Sequence, residues 1–198
     1  MARTLEFYYD YGSPYSYLAD TQVEAIAKRA GASLLRKPML LGGVFKATGN
    51  ASPMTVELKS KWSAFDTPMW AKHYGVPFNR NPFFPVNTLA LMRGATAAQI
   101  DSVFEKYHPA MFRAMWVEGR NLNDIKEVAA VLTAAGLDAQ KIGNRIQDQD
   151  VKDRLKAVTD EAVVRGVFGA PTSFVDDRMF FGNDRLPFVE MALKGDLK

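Results

Sequence analysis

Phe7-Tyr8-Tyr9-Asp10-Tyr11-Gly12-Ser13-Pro14-Tyr15-Ser16 is the stretch on which the fold of this chain turns. Leading into it, Leu5, Phe7 and Tyr9 share one face of an extended segment from Thr4 to Asp10, and the aromatic content favours a strand. Gly12 breaks the strand. Beyond Ser13-Pro14, Tyr15, Ala19, Val23, Ile26 and Ala30 recur at helical spacing, which predicts an amphipathic helix ending at Gly31. A second extended segment follows from Ser33 to Pro38. This β-α-β start predicts two parallel strands joined by a right-handed crossover.

Downstream of Gly42 the pattern changes: for roughly 100 residues Gly and Pro mark turns between helical stretches, and no strand candidate occurs. The predicted helices run Thr55 to Tyr74, Val86 to Arg93, Ala97 to Glu118, Leu122 to Ala135 and Ala139 to Gln147. Pro68 and Pro109 would kink or split two of them. Trp70 and Trp116 read as core residues. Val151, Leu155, Val158 and Ala162 then mark a helix stopped at Gly166. Thr172 to Val175 and Met179 to Phe181, around Asp176-Asp177-Arg178, read as an antiparallel hairpin, and a last helix runs from Arg185 to about Leu193. The expected fold is α/β: one mixed sheet built from both ends of the chain, residues 1–42 and 150–198, with residues 43–149 as a large all-helical insertion.

Composition limits the chemistry. The chain has 198 residues, 47% of them apolar and 24% charged, as in a globular protein. Its net charge of +3 is scattered without a basic run, which argues against nucleic acid. The N-terminus lacks a secretory pattern and no apolar run of about 18 residues could cross a bilayer, so a cytoplasmic protein with no membrane partner is expected. There is no cysteine, which removes disulfide exchange, a protein thiolate and Cys-ligated metal. With only His73 and His108, both read as surface helix residues, neither a metal site nor a His-based triad is expected.

Three turns can carry chemistry. Ser13-Pro14 opens the first helix; Ser at an N-cap followed by Pro begins many helices without further role. The same geometry makes an anion site, where free N–H groups and the helix dipole attract negative charge and a hydroxyl can donate to a bound thiolate. A hydrogen bond to a charged group contributes about 1.5 to 3 kcal/mol and a helix end about 0.3 to 1. At about 1.36 kcal/mol per pKa unit, a thiol near 8.5 would fall to roughly 5.5–7.5. Phe168-Gly169-Ala170-Pro171-Thr172 precedes a strand; its proline either protects an edge or, if cis, turns the Ala170 carbonyl and N–H outward to pair with a peptide. Gly182-Asn183-Asp184-Arg185 is either a helix cap or a turn able to receive the carboxylate and ammonium of an amino acid.

Together these residues resemble the cysteine-free branch of the DsbA-like thioredoxin superfamily, the kappa-class glutathione transferases and 2-hydroxychromene-2-carboxylate isomerases, over essentially the full length. Ser13-Pro14-Tyr15-Ser16 stands where disulfide-exchanging relatives have Cys-Pro-x-Cys. Phe168-Gly169-Ala170-Pro171 is similar to the family's cis-proline loop, and Phe181-Gly182-Asn183-Asp184-Arg185 to its loop for the γ-glutamyl end. The resemblance implies a thioredoxin-like mixed sheet with a helical insertion, glutathione as cofactor, and Ser13 as the catalytic hydroxyl beside its sulfur. It implies Ala170 and Pro171 at the cysteinyl backbone, Asn183, Asp184 and Arg185 at the γ-glutamyl end, and Asn50 and Lys59 at the glycyl end. Phe84-Pro85-Val86-Asn87 resembles the isomerase form and suggests a substrate contact at Asn87. The implied activity is isomerisation of 2-hydroxychromene-2-carboxylate to trans-o-hydroxybenzylidenepyruvate in breakdown of naphthalene-type aromatics, by a homodimer. Lys59, Arg80 or Arg185 would hold the substrate carboxylate. A kappa-like transferase and a non-catalytic peptide-binding thioredoxin domain are the alternatives.

Overall fold

The protein is described by a computed structural model covering residues 3–197. Strand β1, Thr4–Tyr9, runs through the sheet's interior. Strand β2, Ser33–Pro38, pairs with it in parallel; β3, Thr172–Val175, pairs antiparallel on its other side, and β4, Arg178–Phe181, lies outside β3. Both ends of the chain therefore share one sheet, as expected. Helices cover both faces, so β1 is fully buried from Phe7 to Tyr9. Leu5, Phe7 and Tyr9 enter the larger core, and Tyr8 enters a smaller one with Met39, Val44 and Phe174.

Helix α1, Pro14–Arg29, buries Leu18, Ala19, Val23 and Ile26 against that larger core. Next comes α2, Leu41–Thr48, which the sequence reading passes over. It is short, starts without a side-chain cap and carries two glycines in its first turn, so propensity argues against it. Its stop signal was present: Gly49 closes it at φ 69.

The remaining helices are α3, Glu57–Tyr74; α4, Leu89–Ile100; α5, Phe104–Trp116; α6, Ile125–Ala134; α7, Ala139–Arg145; α8, Gln149–Val164; and α9, Leu186–Lys194. Two expectations change here. Of a kink or a split at Pro68 and Pro109, the split does not occur: both lie inside the continuous helices α3 and α5. The break falls instead between α4 and α5, at Ser102 with φ 57, where no Gly or Pro marks it, so the helices expected at Val86–Arg93 and Ala97–Glu118 become Leu89–Ile100 and Phe104–Trp116.

His73 is exposed, but His108 is not a surface residue. Its Nδ1 lies 3.1 Å from the Tyr11 hydroxyl and its Nε2 2.9 Å from Asp20, which also pairs with Arg36. Burial would raise the Asp20 carboxyl, but His108 and Arg36 together hold it below the usual range. Trp116 is buried and Trp70 packs against the core. Helix α3 has a second apolar face turned outward, with Leu58, Trp62, Phe65 and Met69 exposed. Among the described residues no helix is long and apolar enough to cross a membrane.

Candidate active site

Asp10, at the end of β1, fixes the turn that leads to Ser13. Its carboxylate accepts the Gly12 N–H at 2.8 Å and the Leu41 N–H at 2.9 Å, and its carbonyl accepts the Ser13 N–H at 3.0 Å. One buried side chain thus ties the starts of α1 and α2 together. Burial raises the Asp10 carboxyl, and the two N–H groups and the Thr88 side chain counter part of that rise. From the helical region, Trp116 Nε1 donates to the Tyr11 carbonyl at 2.8 Å and holds the same turn from behind.

Ser13 is the N-cap of α1: its Oγ accepts the Ser16 N–H at 3.1 Å. The hydroxyl also donates to the Ala170 carbonyl at 3.1 Å. This bond joins two of the three turns singled out in the sequence, and the Ala170-Pro171 peptide is cis, as is Phe84-Pro85. The helix start offers fewer N–H groups than expected. Pro14 has none, Ser13 gives its own to Asp10, and Ser16 gives its own to Ser13. That of Tyr15 has no acceptor among the described residues.

A cavity of about 340 Å³ opens over Ser13. Its floor is Gly12, Ser13 and Ala170; Phe45 and Phe84 form apolar walls; Lys59 reaches in from α3. Phe168 and Phe181 pack at 4.5 Å between ring centroids on one rim. A Cβ at Gly169 would lie 2.7 Å from the Phe181 ring, so that aromatic lip requires glycine there. Asn50 Nδ2 donates to the Phe168 carbonyl at 2.9 Å and clips the loop after α2 to the cis-proline loop. Tyr15 also lines the cavity, and its hydroxyl donates to Asp66 at 2.8 Å. Burial, then the Asp66 carboxylate, push it up to about 12, so it stays protonated.

The structure brings Ser13, Asn50, Lys59 and Ala170 together around this cavity, with buried Pro171 directly behind Ala170. It does not bring in the Asn183 side chain. Asn183 is buried, its Nδ2 3.5 Å from the Tyr74 hydroxyl, which donates to the Asn183 carbonyl at 2.9 Å. Asp184 and Arg185 are exposed one turn beyond Phe181 and pair with each other at 3.1 Å. Asn87 lies elsewhere. It lines a larger groove of about 700 Å³ between α4, α6 and α7, and its Oδ1 accepts the Leu89 N–H. Sequence reasoning missed Phe45, Met54 and Phe84 as walls; each sits in a different segment, and only the Leu41-to-Phe45 spacing hinted at a helix face. Among the described residues no group of His, Asp and Glu could hold a metal ion.

A sheet of this topology, with a serine-capped helix start facing a cis-proline loop, defines a thioredoxin-like protein that lacks the thiol pair. A family profile described as the DSBA-like thioredoxin domain matches residues 4–194, and the chain belongs to that family. Within it, the chain falls with the 2-hydroxychromene-2-carboxylate isomerases and kappa-class glutathione transferases. The isomerase of Sphingobium xenophagum is 33% identical over 98% of this chain and 99% of that protein. Glutathione S-transferase kappa 1 of Rattus norvegicus is 28% identical over 96% of this chain and 92% of its own length. A solved structure of a 2-hydroxychromene-2-carboxylate isomerase matches with a TM-score of 0.85 at 29% identity, covering 96% of this chain and 94% of that one.

Proposed function

We propose that this chain is a glutathione-dependent isomerase that converts 2-hydroxychromene-2-carboxylate to trans-o-hydroxybenzylidenepyruvate, in the breakdown of naphthalene-type aromatics. One observation carries the reading: the Ser13 hydroxyl sits on the floor of an aromatic-walled cavity, bonded to the Ala170 carbonyl of the cis-proline loop. The donor set suits glutathione, a peptide with a central thiol, a carboxylate at each end and one ammonium. Ser13 faces the thiol. Ala170 offers a main-chain carbonyl and N–H to the cysteinyl unit, with Pro171 shaping the strand start. Lys59, which no carboxylate engages among the described residues, takes the glycyl carboxylate, and Asn50 braces the loop beside it. At the γ-glutamyl end Asp184 takes the ammonium and main-chain N–H groups at Asn183 and Asp184 take the carboxylate, leaving the Asn183 side chain to hold Tyr74. Arg185 orients Asp184.

The chemistry bound glutathione supplies is a thiolate nucleophile that adds reversibly to a conjugated double bond, which can rotate while its π character is lost. The protein's own part is to keep that sulfur ionised. Ser13 exchanges its bond to the Ala170 carbonyl for one to the sulfur, and the incoming cysteinyl N–H satisfies that carbonyl instead. The net gain is a charged hydrogen bond, about 1.5 to 3 kcal/mol, less a neutral one, about 0.5 to 1.5. With the helix end adding about 0.3 to 1, a thiol near 8.5 falls to roughly 6.5–7.5, a smaller drop than the isolated turn suggests. Serine cannot form a disulfide with glutathione, so the cofactor is released for reuse.

The same reading gives residues 1–42 and 150–198 the thioredoxin-like role and residues 43–149 the role of insertion. It places the protein in the cytoplasm, where glutathione is held reduced. Its homodimer face is the outer side of α3, where Leu58 is 76%, Phe65 62% and Trp62 58% exposed. A two-fold copy packed antiparallel sets the Glu57 end of one helix against the Lys72 end of the other, which is complementary in charge. Trp62→Glu is expected to give monomers in sedimentation, and a monomeric wild type contradicts the assignment. The function itself is tested by following hydroxychromene carboxylate absorbance with glutathione far below substrate. Many turnovers per glutathione support the isomerase; consumption that stops when glutathione is used up indicates a kappa-like transferase; no glutathione binding by calorimetry indicates a non-catalytic peptide-binding module.

A further inference from the structure

We infer that Arg80 is the specificity-determining cation of this site, the residue that holds the carboxylate of the aromatic substrate; the inference rests on the isomerase reading and narrows it. Of the three cations the sequence offers, Arg185 is occupied by Asp184 at 3.1 Å. Lys59 faces the Ser13 cavity, at the end assigned to the glycyl carboxylate. Arg80, in the loop after α3, lies at a narrow slot that continues from the cavity: Pro14, Met54, Ser63 and Phe84 line both spaces. The far side of the slot is Phe78, Trp116 and Thr67.

Two features of Arg80 mark it as available. No carboxylate lies within ion-pair distance of it among the described residues. Its guanidinium only leans on α3, with Nη1 3.5 Å from the Ser60 carbonyl, Nη2 3.4 Å from the Ser60 hydroxyl and Nη2 4.0 Å from Met54 Sδ, all at the long limit of a hydrogen bond. Two of its five N–H donors have no acceptor among the described residues and the other three are held only at that long limit, so the fork can turn to a ligand. Two cations without carboxylate partners among the described residues thus serve adjoining spaces, Lys59 the cavity and Arg80 the slot, with Phe84 in the wall between them. A tripeptide carboxylate needs only one of them. The other matches a planar aromatic acid: the fork of Arg80 takes its carboxylate in a bidentate pair, while Phe84 and its neighbours take the ring.

The test compares an acid with its uncharged ester in wild type, Arg80→Gln, Arg80→Lys and Lys59→Gln. Calorimetry with trans-2-hydroxycinnamate and its methyl ester, in the presence of glutathione, measures binding apart from turnover. Arg80→Gln is expected to weaken the acid about ten- to hundredfold, the loss of a charge-assisted pair, while the ester and glutathione change less than about twofold. Arg80→Lys recovers part of the loss, and KM for hydroxychromene carboxylate follows the acid. Equal weakening of acid and ester in Arg80→Gln, no acid preference in the wild type, or loss of that preference only in Lys59→Gln each overturns the assignment. An Arg80-dependent acid preference without isomerisation supports the carboxylate site while the isomerase reading alone fails.

Discussion

Replacing Ser13 by alanine removes two bonds from the fold and one from the chemistry, and the magnitudes separate them. The fold loses the N-cap bond to the Ser16 N–H and the donor to the Ala170 carbonyl. An N-cap contributes about 1 kcal/mol, and here the Ser16 N–H keeps a second acceptor, the Ser13 carbonyl at 3.1 Å. With the Ala170 bond adding about 0.5 to 1.5 kcal/mol, a loss of about 1.5 to 2.5 kcal/mol lowers Tm by roughly 3–10 °C in a chain of this size, so the variant stays folded. The bound thiol loses the net advantage of a charged over a neutral hydrogen bond, about 1 to 1.5 kcal/mol, which at about 1.36 kcal/mol per pKa unit raises its pKa by about one. The thiolate fraction, and with it turnover, then falls about three- to eightfold near neutral pH, and the deficit shrinks as pH rises and the thiolate fraction recovers. Thiolate ultraviolet absorbance of bound glutathione against pH, run beside a pH profile of kcat, reads both effects. Unchanged thiol pKa and turnover in the variant would return Ser13 to the role of a cap and refute the reasoning.

Two further expectations follow from the geometry. Asp184→Ala should raise the glutathione Kd more than it slows the chemical step, since the proposed binding mode sets Asp184 at the ligand's ammonium and away from the sulfur; a fall in kcat with unaltered Kd contradicts that proposal. Glu190, held first by Arg29 at 2.7 Å and then by Lys194, is lowered from 4.5 to about 2. Its contribution to stability is therefore complete above pH 4.5 and lost as pH falls through about 2. Because Arg29 is exposed and Glu190 only partly covered, salt should weaken the pair; carbon-13 titration of the Glu190 carboxyl checks this, and an ordinary carboxyl pKa at low salt would count against the pair.

Elements with strong local signals were legible in the sequence. Alternation marks β1, two short apolar segments around the polar turn Asp176-Asp177-Arg178 mark the hairpin, helical spacing and Gly31 mark α1, and the Ser13-Pro14 and Ala170-Pro171 turns carry their own local signals. Features decided by distant partners were not. His108 reads as a polar surface residue until Tyr11 and Asp20, far away in sequence, surround it. Asn183 carries no local sign that its side chain turns inward to Tyr74. The break at Ser102 lacks Gly or Pro, and α2 opens with the glycines that ordinarily argue against a helix. The cavity walls come from three helix or loop segments that no single motif links, and the ion pair that sets Arg185 apart from Arg80 is not marked by any local pattern.

A crystal structure with glutathione bound tests the central claim most directly. The account predicts the sulfur within hydrogen-bond distance of Ser13 Oγ, with the cysteinyl N–H on the Ala170 carbonyl and the Ser13 hydroxyl turned away from it. A sulfur seated away from Ser13, with the Ser13 bond to Ala170 still intact, would contradict it.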